Sequence, residues 1–410
     1  MNVLALNPGS SSLRFKLVSV VPDEECSEHA CLASGSVASI GPVAHARVGL
    51  GLEQRDVPNV RARDHGEAAA WVLDWLAEQA GAARLDNIDA VGVRVVHGGA
   101  QEGACILVTP SVEQQLEQLG SLAPLHNEGS LATIHEAARR LLDRPPIVAV
   151  FDTAFHADMP EVARTYALPH ELTQRHGIRR FGFHGIAITS VLEGYAHRAK
   201  AHASDQRLVV LHLGSGASIT AVRGGRGVDT SMGFSPLEGL VMATRSGDLD
   251  PSLVPYLARA ERATPDEVVN WLNERSGLLG ISGRSGDMRE IERLRDVGDP
   301  RASLAFDLFA YRAKKHMAGM IAVLGGVDAV LFSGGIGENS AAARAAICTG
   351  MEWCGIAIDA PLNAQPRRSD GRISAADARV GIHVMAADEE RIIARETYSL
   401  LASRTPSRTP

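Results

Sequence analysis

Two short apolar runs, each breaking into a glycine–serine turn, stand half a chain apart. Val3-Leu4-Ala5-Leu6 leads into Asn7-Pro8-Gly9-Ser10-Ser11-Ser12, and Leu208-Val209-Val210-Leu211 leads into His212-Leu213-Gly214-Ser215-Gly216-Ala217. Gly9 and Gly214 lie 205 residues apart in a chain of 410. That spacing predicts two copies of one β-rich unit, each offering backbone N–H groups and hydroxyls at the end of a buried strand. Oriented amides of this kind hold phosphate oxygens. Two such turns facing one another across a cleft would hold a nucleoside triphosphate and its metal.

The length calls for two domains with ample surface to bury. Charged residues are 22% of the chain and apolar residues 45%, which is ordinary globular composition. A net charge of −7 supplies no basic field for nucleic acid or an anionic membrane. No apolar run approaches the ~20 residues that span a bilayer, and the N-terminus opens into a strand rather than a basic leader. The five cysteines, Cys26, Cys31, Cys105, Cys348 and Cys354, show no C-x-x-C spacing. Reduced thiols in a soluble cytoplasmic protein are the expectation.

Residues 13–20 read as the returning strand of a hairpin, with β-rich sequence continuing to about residue 60. Asp64-x-x-Glu67 has the form of a capping box, and Ala68, Trp71, Val72, Trp75 and Leu76 follow at helical spacing. A strand over 90–96, helices near 112–119 and 130–142, and a buried strand over 147–151 complete the first half. A helix near 186–200 leads into the second half and its strand pair, 208–213 and 218–222. Thr264-Pro265-Asp266-Glu267 is a helix start. The longest helix is expected over 301–324, feeding a strand over 327–332. A last strand (380–385) and helix (389–401) close an α/β pattern. The doubled Ser-Arg-Thr-Pro of 403–410 reads as a disordered tail.

Small polar clusters are commonly plain turns. Around Gly9, however, Asn7 supplies an amide oxygen suited to a Mg²⁺-bound water, and Arg14 a cation suited to a phosphate oxygen. A third glycine segment, Gly334-Gly335-Ile336-Gly337-Glu338-Asn339, joins a buried strand to a helix. Alone it reads equally as a structural turn or a dinucleotide loop. It lacks the full G-x-G-x-x-G, and the P-loop pattern is absent from the chain. Three such turns in this order resemble the layout of the actin–hexokinase–Hsp70 nucleotide fold.

Other segments carry chemistry-bearing side chains: Arg94-Val95-Val96-His97, Phe151-Asp152-Thr153, Arg179-Arg180-Phe181-Gly182-Phe183-His184, and Thr244-Arg245-Ser246-Gly247-Asp248. Arg94 and Asp152 sit at the ends of expected buried strands. Arg245 sits in a long irregular Gly/Ser/Pro-rich stretch over 229–251, and such stretches inside compact chains are usually functional. Asp287-Met288-Arg289 reads either as a helix N-terminus with an acid at its dipole or as a nucleotide contact.

At these residues the chain resembles the acetokinase family over nearly its full length. The match rests on N-P-G-S-S-S-L-R, R-V-V-H-G-G, P-L-H-N, F-D-T-A-F-H, R-R-F-G-F-H-G, H-L-G-S-G, R-S-G-D-L-D-P, F-S-G-G-I-G-E-N and D-E-E-R-I-I-A-R. The resemblance implies two duplicated actin-like (ribonuclease H-like) α/β domains with an interdomain cleft, in a homodimer. Residues 1–152 plus 386–402 would form the first domain with acyl-substrate elements, and 153–385 the nucleotide-binding second. The implied reaction is Mg²⁺-dependent phosphoryl transfer between ATP and acetate, with Mn²⁺ able to substitute.

Carried over by motif, Asn7 and Glu389 would bind the metal, with the closing helix returning to bring Glu389 to Asn7. Arg14, Ser10, Ser12, His212, Leu213, Gly214, Ser215, Gly216, Asp287, Met288, Arg289, Gly335, Ile336, Gly337, Glu338 and Asn339 would contact nucleotide. Arg94 would hold the carboxylate, Asp152 would be the active-site acid, and His184 with Arg245 would stabilise the transition state. Val96, Leu125, Phe183 and Pro236 match a methyl pocket. The chain departs from the family pattern at Pro8 (usually Ala), Arg14 (Lys), Ser215 (Asn), Ile186-Ala187-Ile188 (Thr-Ser-His) and Asp388 (Asn).

Because a carboxylate acceptor is already an anion at pH 7, positioning and charge neutralisation matter more than a general base, and Asp152 reads as a positioner rather than a proton shuttle. A propionate kinase differs by one methylene, worth about 1–3 kcal/mol in an apolar pocket. A chaperone-like or sugar-sensing nucleotide switch would need a further binding domain. A phosphatase would have no use for two arginines beside an apolar pocket.

Overall fold

The structure is a computed structural model describing residues 1–21, 30–51, 53–79, 88–99, 103–119, 124–141, 143–199, 206–366 and 370–404. The chain divides into two compact units, Met1–Ala154 with Asp388–Pro410, and Phe155–Ala387.

The first unit is built on an eight-stranded sheet of β1 (Asn2–Pro8), β2 (Ser12–Ser19), β3 (Ala30–Ala38), β4 (Gly41–Leu50), β5 (Arg55–Ala62), β6 (Ala90–Val95), β7 (Cys105–Leu107) and β8 (Ile147–Phe151), in the order β5-β4-β3-β2-β1-β6-β8-β7. The second has β9 (Arg207–Leu213), β10 (Ala217–Arg223), β11 (Arg226–Thr230), β12 (Ala329–Ser333) and β13 (Gly381–Val384), in the order β11-β10-β9-β12-β13. The duplication expected from the glycine turns is visible in these orders. In the first unit β1 pairs antiparallel with β2 and parallel with β6, which has β8 parallel on its far side; in the second β9 pairs antiparallel with β10 and parallel with β12, which has β13 parallel on its far side. β1, β6, β9 and β12 are buried almost throughout, as strands covered on both faces must be.

In the first unit the helix His65–Glu78 buries Ala68, Ala69, Val72, Trp75 and Leu76 against the sheet, and Trp75 meets Phe15 at 5.7 Å between ring centroids. Asp64 caps this helix by accepting from the Glu67 N–H. The Glu67 carboxylate, however, accepts from the Arg63 N–H rather than closing the box on Asp64. Helices Pro110–Leu119 and Pro124–Arg140 begin earlier than their apolar periodicity suggested, each on a proline that fits the first helical position.

The closing helix Glu389–Arg404 lies on β1 and β6. Its approach requires Gly92, where a Cβ would stand 2.3 Å from Thr397 Oγ1 and 2.7 Å from Ile393 Cγ2. Ser403 and Arg404, expected in a disordered tail, form its last turn, with the Ser403 hydroxyl donating to the Leu400 carbonyl at 2.8 Å. Residues 405–410 lie outside the described residues, as does Cys26.

In the second unit the long helix runs Pro300–Leu324. Asp299 accepts from the N–H groups of Arg301 and Ala302, Pro300 fills the first position, and Gly325 ends it at φ 69°. Thr264 and Glu267 form a complete capping box on Pro265–Glu274, worth about 1 kcal/mol. The Gly334–Asn339 segment is itself one and a half turns of helix rather than a loop. From Ser231 to Pro251 the chain is irregular, as its composition implied. None of the helices described is long and apolar enough to cross a membrane.

Candidate active site

In the first unit β1 ends at the Gly9 turn, closed by the Gly9 N–H donating to Ser12 O at 2.7 Å. Register places Asn7 opposite Arg14 on β2. Asn7 is 5% exposed, and its amide Nδ2 donates to Glu389 Oε2 at 3.1 Å and to Glu390 Oε1 at 2.8 Å. The closing helix therefore does bring Glu389 to Asn7. Burial and the neighbouring Glu389 charge raise the Glu390 pKa, with the Asn7 donor and Arg14 working against the shift. Ser10 and Arg14 are exposed, and Ser12 is half-buried at the foot of the turn.

Arg94, on β6, donates from Nη1 to the Pro8 carbonyl at 3.0 Å and from Nη2 to Asp152 Oδ2 at 2.8 Å. Its Nε–H is buried with no partner among the described residues. Burial opposes the Arg94 charge, but the Asp152 carboxylate, then Glu389 and Glu390, outweigh it and hold its pKa above the ordinary value. A guanidinium with an unsatisfied buried donor suits an incoming carboxylate. Val96 follows Arg94 by two residues and is buried. Leu125 lies in Pro124–Arg140, but its side chain is outside what is described.

In the second unit the β9–β10 turn is closed by the Gly214 N–H donating to Gly216 O at 2.9 Å. A Cβ on Gly216 would stand 3.2 Å from His184 Nε2 and 3.5 Å from Arg245 Nη1, so the turn, the imidazole and the guanidinium converge there. His184 takes φ 61°, a left-handed value that costs a non-glycine residue. The helix Gly185–Ala199 starts at the next residue. Its Nδ1 lies 2.9 Å from Ser218 Oγ, and its ring lies 4.8 Å from that of His212. Arg245 Nη1 donates to the Pro236 carbonyl at 3.3 Å, which holds the loop carrying Pro236. Phe183 is 1% exposed beside His184.

The three nucleotide segments expected in the second unit share one concavity of about 630 Å³, lined by Gly214, Ser215, Asp287, Met288, Arg289, Gly335, Ile336 and Asn339; Ser10, Ser12 and Arg14 of the first unit, and His212, Leu213, Gly216, Gly337 and Glu338, are not among its lining. Asp287 is the helix N-terminus of the first reading, capping Met288–Asp296 by accepting from the Arg289 N–H, and it also lines this concavity. The Arg289 guanidinium beside it lowers its pKa. Ser333, the last residue of β12, keeps a buried hydroxyl with no partner among the described residues just before Gly334.

Several supporting residues were not singled out from sequence. Ser218 braces His184. Tyr166 and Arg180 both donate to Glu238, and Tyr166 Oη accepts from the Phe234 N–H at 2.8 Å, fixing the irregular loop. His65 Nε2 lies 2.7 Å from the Gly9 carbonyl. A hydroxyl or phenol carries no signal in isolation; only Arg180 lay inside a quoted motif, and Glu238 within the irregular stretch over 229–251.

Comparison with known proteins gives one answer. The profile of the Acetokinase family matches residues 2–395. The acetate kinase of Coprothermobacter proteolyticus is 42% identical over 99% of this chain and 100% of its own length. The crystal structure of Porphyromonas gingivalis acetate kinase aligns with TM-score 0.82 at 36% identity, covering 98% of this chain and 99% of that one. A propionate kinase from Francisella tularensis aligns with TM-score 0.86 at 35% identity, covering 97% and 99%. A profile spanning both compact units, joined to full-length relatives at this identity, means that the chain belongs to the acetokinase family.

Proposed function

We propose that this chain is an acetate kinase, transferring the γ-phosphoryl group of ATP reversibly to acetate to give acetyl phosphate and ADP. It works with Mg²⁺, for which Mn²⁺ can substitute, as a cytoplasmic homodimer. The observation that carries the reading is the convergence of His184 and Arg245 on the Gly216 turn, beside a concavity lined by all three nucleotide segments. Family membership supplies the reaction class.

The acceptor arrives ionised, as Glu with its ordinary pKa of about 4.3 does at pH 7. One carboxylate oxygen forms the new bond to γ-phosphorus while the bond to the β–γ bridging oxygen breaks, and the electron pair leaves on ADP. No proton need move. The difficulty is bringing an anion to a polyanion, and Arg94 answers it by offering its unpaired Nε–H to the carboxylate. Arg245 and His184 neutralise charge on the equatorial oxygens of the in-line transition state. Asp152, bonded to Arg94 and 1% exposed at its side chain, aims that guanidinium.

Among the described residues no cluster of three or more His, Cys, Asp or Glu side chains could hold a metal. Asn7 and Glu389 nevertheless offer hard oxygen donors from one point of the first unit. That suits Mg²⁺, which keeps several waters and completes its shell with substrate phosphates. Held by Asn7 and Glu389, the metal would supply positive charge against the charge that develops on the phosphates.

The likeness to a propionate kinase keeps the longer acid as a second reading. A hydroxamate assay for acyl phosphate, run with ATP and Mg²⁺ and with acetate, propionate or neither, tests both. Product with acetate at a higher kcat/KM than with propionate is expected. The reverse ranking selects the second reading, and ATP consumption without acyl phosphate rejects both.

A further inference from the structure

The closing helix opens on three successive carboxylates, Asp388, Glu389 and Glu390. Two of them meet Asn7. The third is answered by Lys16, whose Nζ donates to both Asp388 oxygens at 2.7 and 2.6 Å. Lys16 stands on β2 opposite Ala5, two residues along from Arg14, which stands opposite Asn7. With a side-chain period of two, Lys16 and Arg14 share one face of the sheet. The same Asp388 carboxylate accepts from the Arg391 N–H at 3.1 Å, so it also caps the helix. One ion pair thus fixes where the helix begins and cancels a charge next to Glu389. Asp388 stands where the family pattern has a neutral Asn, and Lys16 restores the balance.

We propose that Lys16 is a positioning residue for the divalent-cation site: paired with Asp388, it offsets that carboxylate's charge and keeps it from becoming a ligand, leaving Asn7 and Glu389 to set the affinity. This rests on the reading of Asn7 and Glu389 as the metal binders. The pair is partly solvated, with side chains 21% and 40% exposed, so the effects are modest and the fold tolerates the substitutions.

The test is Mn²⁺ titrated into the nucleotide-free full chain, followed by the electron paramagnetic resonance of the free ion, with thermal melts as a control. Glu389→Gln should weaken binding at least about 10-fold. Lys16→Gln, which removes the cation paired with Asp388, should tighten it about 3-fold; Asp388→Asn, which removes a carboxylate beside Glu389, should weaken it about 3-fold. The double variant Lys16→Gln/Asp388→Asn should return to within about 2-fold of the parent. A purely structural pair would instead lower melting temperature in both single variants and move Mn²⁺ affinity in one direction. If Glu389→Gln weakens binding but the two single variants do not move oppositely, or the double variant does not restore, the Lys16 assignment is overturned and the metal reading stands. If Glu389→Gln leaves Mn²⁺ binding unchanged, the metal reading fails and the Lys16 assignment with it.

Discussion

Arg94 donates to Asp152 across 2.8 Å, and both side chains are shielded from water, at 12% and 1% exposure. Such a pair is poor evidence of stability, because desolvation offsets most of the attraction, while loss of one partner strands a buried charge at a cost of about 3–5 kcal/mol. Its value lies in aiming the guanidinium.

Replacing Arg94 with Lys keeps the charge opposite Asp152 but removes the planar fork. We expect kcat/KM for the carboxylate to fall by at least about 10², with little change in melting temperature. Arg245→Ala should cost a similar factor. Steady-state kinetics with the carboxylate varied at saturating ATP checks both: near-normal values for Arg245→Ala would refute charge neutralisation, and near-normal values for Arg94→Lys would refute the need for the guanidinium's fork.

Asp152→Asn should be nearly as damaging as the arginine changes, because an amide cannot answer the Arg94 charge. If Asp152 only positions Arg94, the pH dependence of kcat keeps its shape in the variant. Disappearance of a titrating limb would instead assign Asp152 a proton-transfer role.

Ser218 holds His184 Nδ1 at 2.9 Å, so Ser218→Ala removes one brace from a ring whose backbone is already strained. We expect kcat to fall about 10-fold, by loss of orientation, while KM for ATP stays within about 2-fold. A change confined to KM would show that the hydroxyl serves nucleotide binding.

A methyl group at Gly216 would press on His184 Nε2 at 3.2 Å and reach ordinary contact with Arg245 Nη1 at 3.5 Å. Gly216→Ala should therefore cut kcat by roughly 10-fold or more, since misplacement of about 1 Å can cost 10². The melting temperature should hold, because the ring needs to give by only a few tenths of an ångström. A fully active variant would mean that these groups do not work at this distance.

Burial, with Arg372 and Arg198 nearby, lowers the His383 pKa from 6.5 to about 4. Between those values the unfolded chain binds the proton and the folded chain does not. The His383 contribution to stability is therefore complete above about pH 6.5 and drains away as pH falls toward 4. Urea melts from pH 7 to 4.5 should show a steeper loss of midpoint in the parent than in His383→Gln. Parallel curves would place the proton elsewhere.

What the sequence made legible follows from the range of the physics involved. Glycine turns, proline helix starts and the Thr264–Glu267 box are local, so the segments that line the second unit's concavity and most element boundaries could be read directly. The Asp64 box was half right, because Glu67 found the Arg63 N–H, a competitor one residue away. Lys16 and Asp388 are separated by 372 positions, and nothing in either neighbourhood announces the other. Ser218 and Tyr166 were invisible for a related reason: a single hydroxyl gains meaning only when tertiary structure sets it beside a partner.

Gly92 meets the closing helix because the first unit is assembled from both ends of the chain. A ribosome delivers Thr397 and Ile393 last, after every residue of the continuous unit Phe155–Ala387 has been made. During synthesis β6 therefore waits with an uncovered apolar surface at Gly92, and the half built first in time is the half completed last.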